Sequence, residues 1–154
     1  MADKSTTNSS TRTSLLLWLR MLTCTRMIEN QIRRQLRESF ETTLPRFDVM
    51  AQLERNRDGL RMGEISKLLL VTSGNITGII DQLVKENLVE RSPDPHDRRA
   101  YQVKLTEKGI AAFDEMAILH RGWIADLNAG LSDEEQKILH GLLEKLNESL
   151  QEKI

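Results

Sequence analysis

Two groups of polar side chains between residues 60 and 106 have the types and spacing to bind a polar, negatively charged surface. The first group combines hydroxyl and amide side chains with one lysine: Thr72, Ser73, Asn75, Thr77, Gln82 and Lys85. The second group is the run Asp97, Arg98 and Arg99. Hydroxyl and amide groups exchange hydrogen bonds with the edges of nucleic-acid bases, and guanidinium groups pair with phosphates.

The first group is predicted to lie on the second of two short helices. Met62, Ile65 and Leu69 recur at i, i+3 and i+7, which indicates a first helix of roughly two to three turns. Thr72 or Ser73 can cap the second helix by accepting a hydrogen bond from a free backbone N–H. The inward face of this helix is expected to be Ile76, Ile80, Leu83 and Val84. Its polar side chains then point outward, as entry into a major groove requires, although an ordinary solvated face would show the same pattern.

The second group is predicted to lie at the tip of a β-hairpin. The strand-like residues are Leu88, Val89 and Arg91 before a Pro- and Asp-rich turn and Tyr101, Val103 and Leu105 after it. Two strands this short need a helical core to pack against. Asp97 is expected to hold the guanidinium of Arg98 or Arg99 by a charge-assisted hydrogen bond. An arginine at a hairpin tip suits a narrow minor groove and its phosphates, and incidental charge on a solvated tip is the alternative.

This order of elements resembles the MarR family (multiple antibiotic resistance regulators) of winged-helix transcription factors. The resemblance is carried by the run VTSGNITGIIDQLVKENLVER and by the pattern Asp97-x-Arg99-x-x-x-Val103-x-Leu105-Thr106-x-x-Gly109. It implies a mainly α fold: a winged helix-turn-helix with a two-stranded β-wing and long N- and C-terminal dimerisation helices. Gly78 stands where many members carry an arginine in the recognition helix. The expected base contacts therefore shift to Ser73, Asn75, Thr77 and Gln82.

Long apolar stripes near both ends of the chain indicate its organisation. Residues 1–13 are rich in Ser, Thr and Asn and are expected to form a disordered tail. Helical dimerisation segments are predicted at 14–44 and 107–154, around a DNA-binding region at 45–106, in one compact domain overall. The stripes are longer than the middle of the chain can cover, so we expect a symmetric dimer, with a monomeric three-helix pack as the alternative. The resemblance implies the dimer, whose recognition helices would lie about 34 Å apart and read a pseudo-palindrome.

Composition indicates a soluble, cytoplasmic protein with no membrane partner. No apolar run among the 154 residues approaches the roughly 20 that a membrane span needs. The net charge of −1 is unevenly distributed: 10 basic against 7 acidic residues in 1–60, 7 against 6 in 61–106, and 5 against 10 in 107–154. The acidity is concentrated in the C-terminal third, so the total charge does not argue against nucleic-acid binding.

No enzyme, metal or cofactor site is expected. His96, His120 and His140 fall in the wing tip and on two different helices, without HExxH-like spacing and without a second cysteine for a zinc set. The single cysteine, Cys24, excludes an internal disulfide and suits a reducing compartment. Cys24 is interpreted either as a packed helix residue or as a redox switch.

The resemblance also implies regulation by a small ligand, because family members commonly bind small aromatic acids between the dimer helices and the DNA-binding lobe. A pocket for such a ligand needs aromatic or Met side chains that contact the ring and arginines that pair with the carboxylate. The candidate pocket residues are Trp18, Leu22, Arg26, Arg46, Met50 and Phe113. Plain core residues with surface arginines are the alternative. Arg33, Arg34 and Arg37 leave room for a larger anion, such as an aromatic acyl-CoA thioester.

The sequence therefore predicts a homodimeric repressor that binds double-stranded operator DNA and is released by an aromatic acid or aromatic acyl-CoA ligand. One alternative is a redox-responsive regulator of the same fold that acts through Cys24. Another is a winged-helix module that binds protein and no DNA.

Overall fold

The computed structural model describes residues 4–69 and 73–153, without the side chains of residues 4–8, 73 and 74. Its helices are α1 (Lys4–Phe40), α2 (Leu44–Arg55), α3 (Met62–Leu69), α4 (Ser73–Lys85), α5 (Glu107–Asn128) and α6 (Asp133–Gln151). Its strands are β1 (Leu60–Arg61), β2 (Val89–Pro93) and β3 (Tyr101–Leu105). The helix pair α3 and α4, followed by the hairpin β2–β3, confirms the predicted mainly α winged helix-turn-helix. The joint between the two helices, which includes Thr72, lies outside the described residues.

The wing belongs to a three-stranded antiparallel sheet in the order β1-β3-β2. Val89 lies opposite Leu105 at one end of the hairpin, and Pro93 lies opposite Tyr101 at the other. The predicted two-stranded wing omitted β1, which pairs Leu60 with Val103. Two residues are too short a segment to show an alternating pattern, and their partner lies far along the chain. The third strand connects the wing directly to the start of α3.

The buried core lies between the first four helices, the sheet and the first half of α5. Its apolar residues are Ile32, Leu36, Phe47, Val49, Met50, Leu53, Leu60, Ile65, Ile76, Ile80, Leu83, Val89, Val103, Leu105, Phe113 and Met116. Ile76, Ile80 and Leu83 are fully buried, as predicted for the inward face of α4, and Val84, the fourth predicted residue, is half-buried. Burial of each such side chain contributes on the order of 1.5–3 kcal/mol. The inward face therefore holds α4 in place and leaves its polar face outside.

Three helices begin with a side-chain cap. Thr43 precedes α2 and accepts a hydrogen bond from the Arg46 N–H, with Pro45 in the first turn. The Thr106 hydroxyl accepts from the third residue of α5 at 3.0 Å. Ser132 opens α6 with a capping box completed by Glu135. Each cap satisfies backbone donors that the first turn of a helix leaves free.

The junction between α4 and the wing is closed by backbone contacts. Asn87 has a φ of 58° and ends the helix, and the Leu88 N–H donates to the Leu83 carbonyl at 3.0 Å. The Leu88 carbonyl in turn accepts from the Thr106 N–H at 3.1 Å. A Cβ atom at Gly109 would lie 1.9 Å from that same carbonyl oxygen. Only glycine therefore allows α5 to approach the junction this closely.

The first helix begins earlier than predicted, because Lys4–Thr13 is helical where a disordered tail was expected. The Thr13 hydroxyl donates to the Ser9 carbonyl at 3.0 Å, and the Ser14 hydroxyl donates to the Ser10 carbonyl at 3.1 Å. Hydroxyl side chains that bond back to the preceding turn can thus be accommodated in a helix despite their preference for caps. A lack of apolar residues was a poor guide to where the helix starts.

The chain divides into two compact units at residue 117, and α6 lies in the second. No residue of α6 is buried. Its predicted apolar stripe is largely exposed, with Leu142 61% and Leu139 46% accessible. A single chain therefore leaves an amphipathic helix without a partner for its apolar face.

None of the helices within the described ranges combines the length and the hydropathy needed to span a lipid bilayer.

Candidate nucleic-acid interface

The outer face of α4 carries the polar group selected from the sequence. The members whose side chains are described, all of them exposed, are Asn75, Thr77, Gln82 and Lys85. Thr72 and the side chain of Ser73 lie outside the described residues. Gly78 is also exposed, and a Cβ atom there would meet no atom within 4 Å. The outer face thus offers uncharged donors and acceptors and one lysine at the end of the helix, with the carboxylate of Asp81 between them.

An ion pair joins α4 to the wing. Arg91 in β2 donates from Nη2 to Oδ1 of Asp81 in the middle of α4. Both side chains are more than one-third exposed, so the pair contributes at most about 1 kcal/mol to stability. Its role is geometric, because it fixes the strand relative to the helix. The sequence analysis did not predict this ion pair.

The wing is anchored by Asp94, which the sequence analysis did not select. The Asp94 side chain is 6% exposed, and its Oδ2 accepts a hydrogen bond from Nε of Arg61 in β1 at 2.6 Å. Its Oδ1 accepts from the backbone N–H groups of His96 at 2.7 Å and Asp97 at 3.2 Å. The Arg61 hydrogen bond, followed by that of His96, lowers the pKa of Asp94 to about 2. The anchoring carboxylate therefore stays charged down to strongly acidic pH.

The contact made by Asp97 differs from the prediction. Its Oδ1 accepts from the backbone N–H of Arg99 at 2.9 Å, and its carbonyl accepts from the Ala100 N–H at 3.0 Å. Within the described ranges, no guanidinium lies within ion-pair distance of Asp97. A backbone N–H two residues away is fixed in place, whereas an arginine side chain must lose rotamer freedom to reach back. Asp97 thus shapes the wing tip through the backbone.

Arg98 and Arg99 are both exposed at the wing tip. Among the residues that the structure describes, neither guanidinium has a carboxylate within 4.0 Å. By contrast, Arg91 pairs with Asp81 and Arg61 pairs with Asp94. The sheet therefore has two arginines that position the hairpin and two at its tip. The tip pair can bind phosphate oxygens or enter a minor groove.

The C-terminal end of α4 is clamped to α2. Arg46 donates from Nη1 to Oε1 of Glu86 at 2.9 Å and from Nη2 to Oε2. This hydrogen bonding lowers the pKa of Glu86. Lys108 in α5 donates from Nζ to the Glu86 carbonyl at 2.9 Å. The helix is therefore held at two points by different partners, by the wing strand at Asp81 and by α2 at Glu86.

A cleft of about 630 Å³ lies between α1, the start of α2 and α4. Its volume is in the range of small-molecule sites. Three arginines line it, Arg33, Arg37 and Arg46, and Arg33 also pairs with Glu29 at 3.3 Å. Burial, together with the Glu29 carboxylate, raises the pKa of the Asp48 carboxyl in the same cleft, and Arg33 opposes this shift. The cleft thus combines apolar walls with a net excess of positive charge among its ionised groups.

Most of the predicted pocket residues lie elsewhere, and only Arg46 lines the cleft. Met50 and Phe113 are core residues, with 1% and 9% exposure, and the Phe113 ring stacks on Phe47 at a centroid distance of 5.4 Å. The same aromatic and sulfur side chains serve a core or a pocket, so the sequence pattern could not separate the two.

The remaining pocket candidates lie on α1, outside the cleft lining. Trp18 is 54% exposed, Arg26 is exposed and Leu22 is half-buried. Of the predicted anion cluster, Arg33 and Arg37 line the cleft and Arg34 does not. Arg33 and Arg37, one helical turn apart, therefore lie on the same face of α1. Helix periodicity is sufficient to predict that they lie together.

Cys24 is exposed on α1, so its interpretation as a packed helix residue is wrong for the single chain.

Burial, with a smaller effect of Arg121, lowers the pKa of His120. Within the described ranges, no three His, Cys, Asp or Glu side chains are grouped so that they could hold a metal ion.

The α3–α4 pair, the polar outer face and the arginine-tipped hairpin define a winged helix-turn-helix, a class of DNA-binding fold. A family model described as "MarR family" matches residues 42–101. An uncharacterised HTH-type transcriptional regulator of Bacillus cereus is 30% identical over 142 residues, which cover 90% of this chain and 91% of that protein. The chain belongs to the MarR family of transcriptional regulators.

Solved structures of the family share the fold over most of the chain. A MarR family transcriptional regulator from Silicibacter pomeroyi is 31% identical, with a TM-score of 0.78, and the match covers 92% of this chain and 97% of that one. A mutant MarR from E. coli complexed with operator DNA is 26% identical, with a TM-score of 0.75, over 84% of this chain and 92% of that one. In that structure the shared fold is in complex with operator DNA.

Proposed function

We propose that the protein is a homodimeric repressor that binds a pseudo-palindromic operator, with α4 in the major groove and the wing tip beside it. The observation that carries this proposal is the link between the exposed polar face of α4 and the arginine-tipped wing through the Asp81–Arg91 pair. The readout is assigned to Thr72, Ser73, Asn75, Thr77 and Gln82, and phosphate or minor-groove contacts to Lys85, Arg98 and Arg99. Arg61 and Asp94 act as positioning residues for the wing.

The dimer is supported by apolar surface that one chain leaves exposed. Ile138 and Leu142 of α6 are 64% and 61% exposed, and the run 15–19 of α1 consists of exposed apolar residues. Exposed apolar side chains in such number, on each of the two helices, are typical of an interface between subunits. Two copies would place two recognition helices about one DNA helical turn apart, which is roughly 34 Å.

Replacement of Leu142 by glutamate tests the dimer and its link to DNA binding. The variant is expected to sediment as a monomer at micromolar concentration and to lose at least tenfold in affinity for a two-half-site duplex, because one subunit contacts only one half-site. Sedimentation velocity and fluorescence anisotropy measure the two effects. Asn147→Glu adds the same charge to an exposed position of α6 and should leave both unchanged. Wild-type protein that is monomeric and protects a single half-site from cleavage would contradict the proposal.

We further propose that an aromatic carboxylate, or its CoA thioester, binds in the cleft and weakens DNA binding. The cleft joins α1 and α2 to α4, so a ligand there contacts both the helical scaffold and the DNA-reading helix. Arg37 is the cleft arginine with no hydrogen bond or ion pair from its guanidinium among the described residues, and the N-terminal end of α2 also favours an anion. The apolar side chains of Leu44 and Ile79 provide surface for a ring.

Thermal-shift titrations with benzoate and with benzoyl-CoA test this site. A ligand that binds only the native state raises the melting temperature, and loss of one arginine–carboxylate contact should weaken binding on the order of tenfold. We expect Arg37→Ala to shift the titration to higher ligand concentration. Arg34→Ala removes a neighbouring arginine outside the cleft and should titrate like the wild type. Identical titrations of Arg37→Ala and the wild type, or no shift with either probe, would exclude this ligand site.

A further inference from the structure

The exposed face of α4 consists of two rows of residues that differ in their contacts with the rest of the chain. One row contains Thr77, Asp81 and Lys85, spaced four residues apart, and Asp81 in its centre is paired with Arg91 of the wing. The other row contains Asn75, Gly78 and Gln82, at i, i+3 and i+7, all of them exposed. Among the described residues, neither the Asn75 nor the Gln82 side chain has a hydrogen-bond partner. The two amides of the second row are therefore available to bases, and both also border the cleft between α1, α2 and α4.

The chemistry of this row is unusually uniform. Asn75 and Gln82 each carry one amide, which has a donor and an acceptor in one plane. That pair matches the N6 donor and N7 acceptor that adenine presents in the major groove, whereas guanine presents two acceptors and is preferred by arginine or lysine. Neither cation type occurs at these three positions, and Lys85 follows only at the end of the helix, one turn beyond Gln82. The row thus favours adenine over guanine at the base pairs it reaches.

Gly78 between the two amides leaves a gap on the helix surface. A Cβ atom at this position would meet nothing within 4 Å, so glycine is not required there for packing inside the protein. The absence of a side chain lets the backbone approach the bases and leaves the contacts to the amides on either side. At a rise of 1.5 Å per residue, Asn75 and Gln82 lie about 10 Å apart along the axis, or roughly three base-pair steps of 3.4 Å.

We propose that α4 reads two adenine-containing base pairs about three steps apart in each half-site, one through Asn75 and one through Gln82, with Gly78 providing close approach. This inference rests on the proposed function in one respect, that α4 enters the major groove. It adds a base preference at two positions of the half-site and assigns the side chain that determines each of them.

Selection from a pool of random duplexes, followed by sequencing, tests the base preference with the full-length protein. The wild type should enrich half-sites with adenines about three positions apart. Asn75→Ala should lose discrimination at one of these positions and Gln82→Ala at the other, each by at least fivefold. Gly78→Arg should add a guanine between them. Asn30→Ala, which removes an exposed amide from α1, should select the wild-type site.

Two failures are distinguishable in this experiment. If the wild type enriches a site but guanine occupies both positions, or if both alanine variants select an unchanged site, the adenine readout is overturned while DNA binding stands. If the wild type enriches no sequence, the proposed function itself fails. Thermal unfolding of each variant within a few degrees of the wild type confirms that the substitutions act at the DNA contact and not on the fold.

Discussion

Replacement of Gly109 by alanine is expected to destabilise the folded chain by about 3 kcal/mol, since the added methyl group meets rigid backbone. Its Cβ atom would lie 1.9 Å from the Leu88 carbonyl oxygen and 2.8 Å from the carbonyl carbon. The Leu88 carbonyl also accepts the Thr106 N–H, so it cannot move without loss of that hydrogen bond. Urea unfolding measures the effect as a lower midpoint with an unchanged slope.

The same clash would weaken DNA binding indirectly. Relief of the clash requires α5 to move away from the α4–β2 junction, and this junction sets the wing relative to the recognition helix. Gly63→Ala is the control, because a Cβ atom at Gly63 in α3 meets nothing within 4 Å. That variant should be unchanged or more stable by up to about 1 kcal/mol. Equal urea midpoints for the two variants would show that the close approach at Gly109 is not a constraint.

Removal of the wing-tip arginines is expected to produce the largest loss of DNA affinity. Arg98→Ala and Arg99→Ala should each weaken binding by about 1–3 kcal/mol, because each guanidinium is free of carboxylates in the described structure and is available to phosphate or a minor groove. Fluorescence anisotropy at one fixed salt concentration measures the loss. Arg57→Ala is matched in charge, but its guanidinium is paired with Glu54, so it should bind DNA like the wild type.

Asp94→Asn tests whether the position of the wing matters for DNA binding when the tip arginines are kept. It keeps both tip arginines but replaces the carboxylate that Arg61 contacts, so it should weaken DNA binding in the same direction by less. Wild-type affinity in the Arg98 and Arg99 variants would instead favour the alternative of a winged-helix module that binds protein.

The parts of the fold that follow from local patterns were predicted correctly from the sequence. Ile76, Ile80 and Leu83 recur at helical spacing, and their burial fixes which face of α4 is exposed. Ser132 and Glu135 have the spacing of a capping box, and they form one. Such features depend on residues within one or two turns of each other, so a single sequence contains the information they need.

The parts that depend on distant partners were not predicted. Arg61 meets Asp94 across 33 positions, and Arg46 meets Glu86 across 40. No local pattern distinguishes these charges from others on the surface, and only the fold brings them together. Asp97 illustrates the converse error, because a nearby arginine was expected to be its partner and a backbone N–H was the closer donor.

The proposed ligand site was the part of the molecule that the sequence indicated least well. Met50 and Phe113 were selected for side chains that could contact a ring, and the structure buries both in the core. The cleft arises instead from the way in which α1, α2 and α4 diverge, and it includes Arg37, which was considered only as part of a cluster for larger anions. Pocket shape is a tertiary property, whereas residue type alone is shared by cores and binding sites.

We infer that α4 and the wing together bind a specific DNA sequence. The most direct measurement is the affinity of the full-length wild type for a duplex selected from a random pool, compared with a scrambled duplex, over a series of salt concentrations. We predict at least a thousandfold preference for the selected duplex, and binding to both duplexes that weakens as salt rises because phosphate contacts release counterions. Equal affinity for the two duplexes, or no binding to either at low salt, would contradict the account.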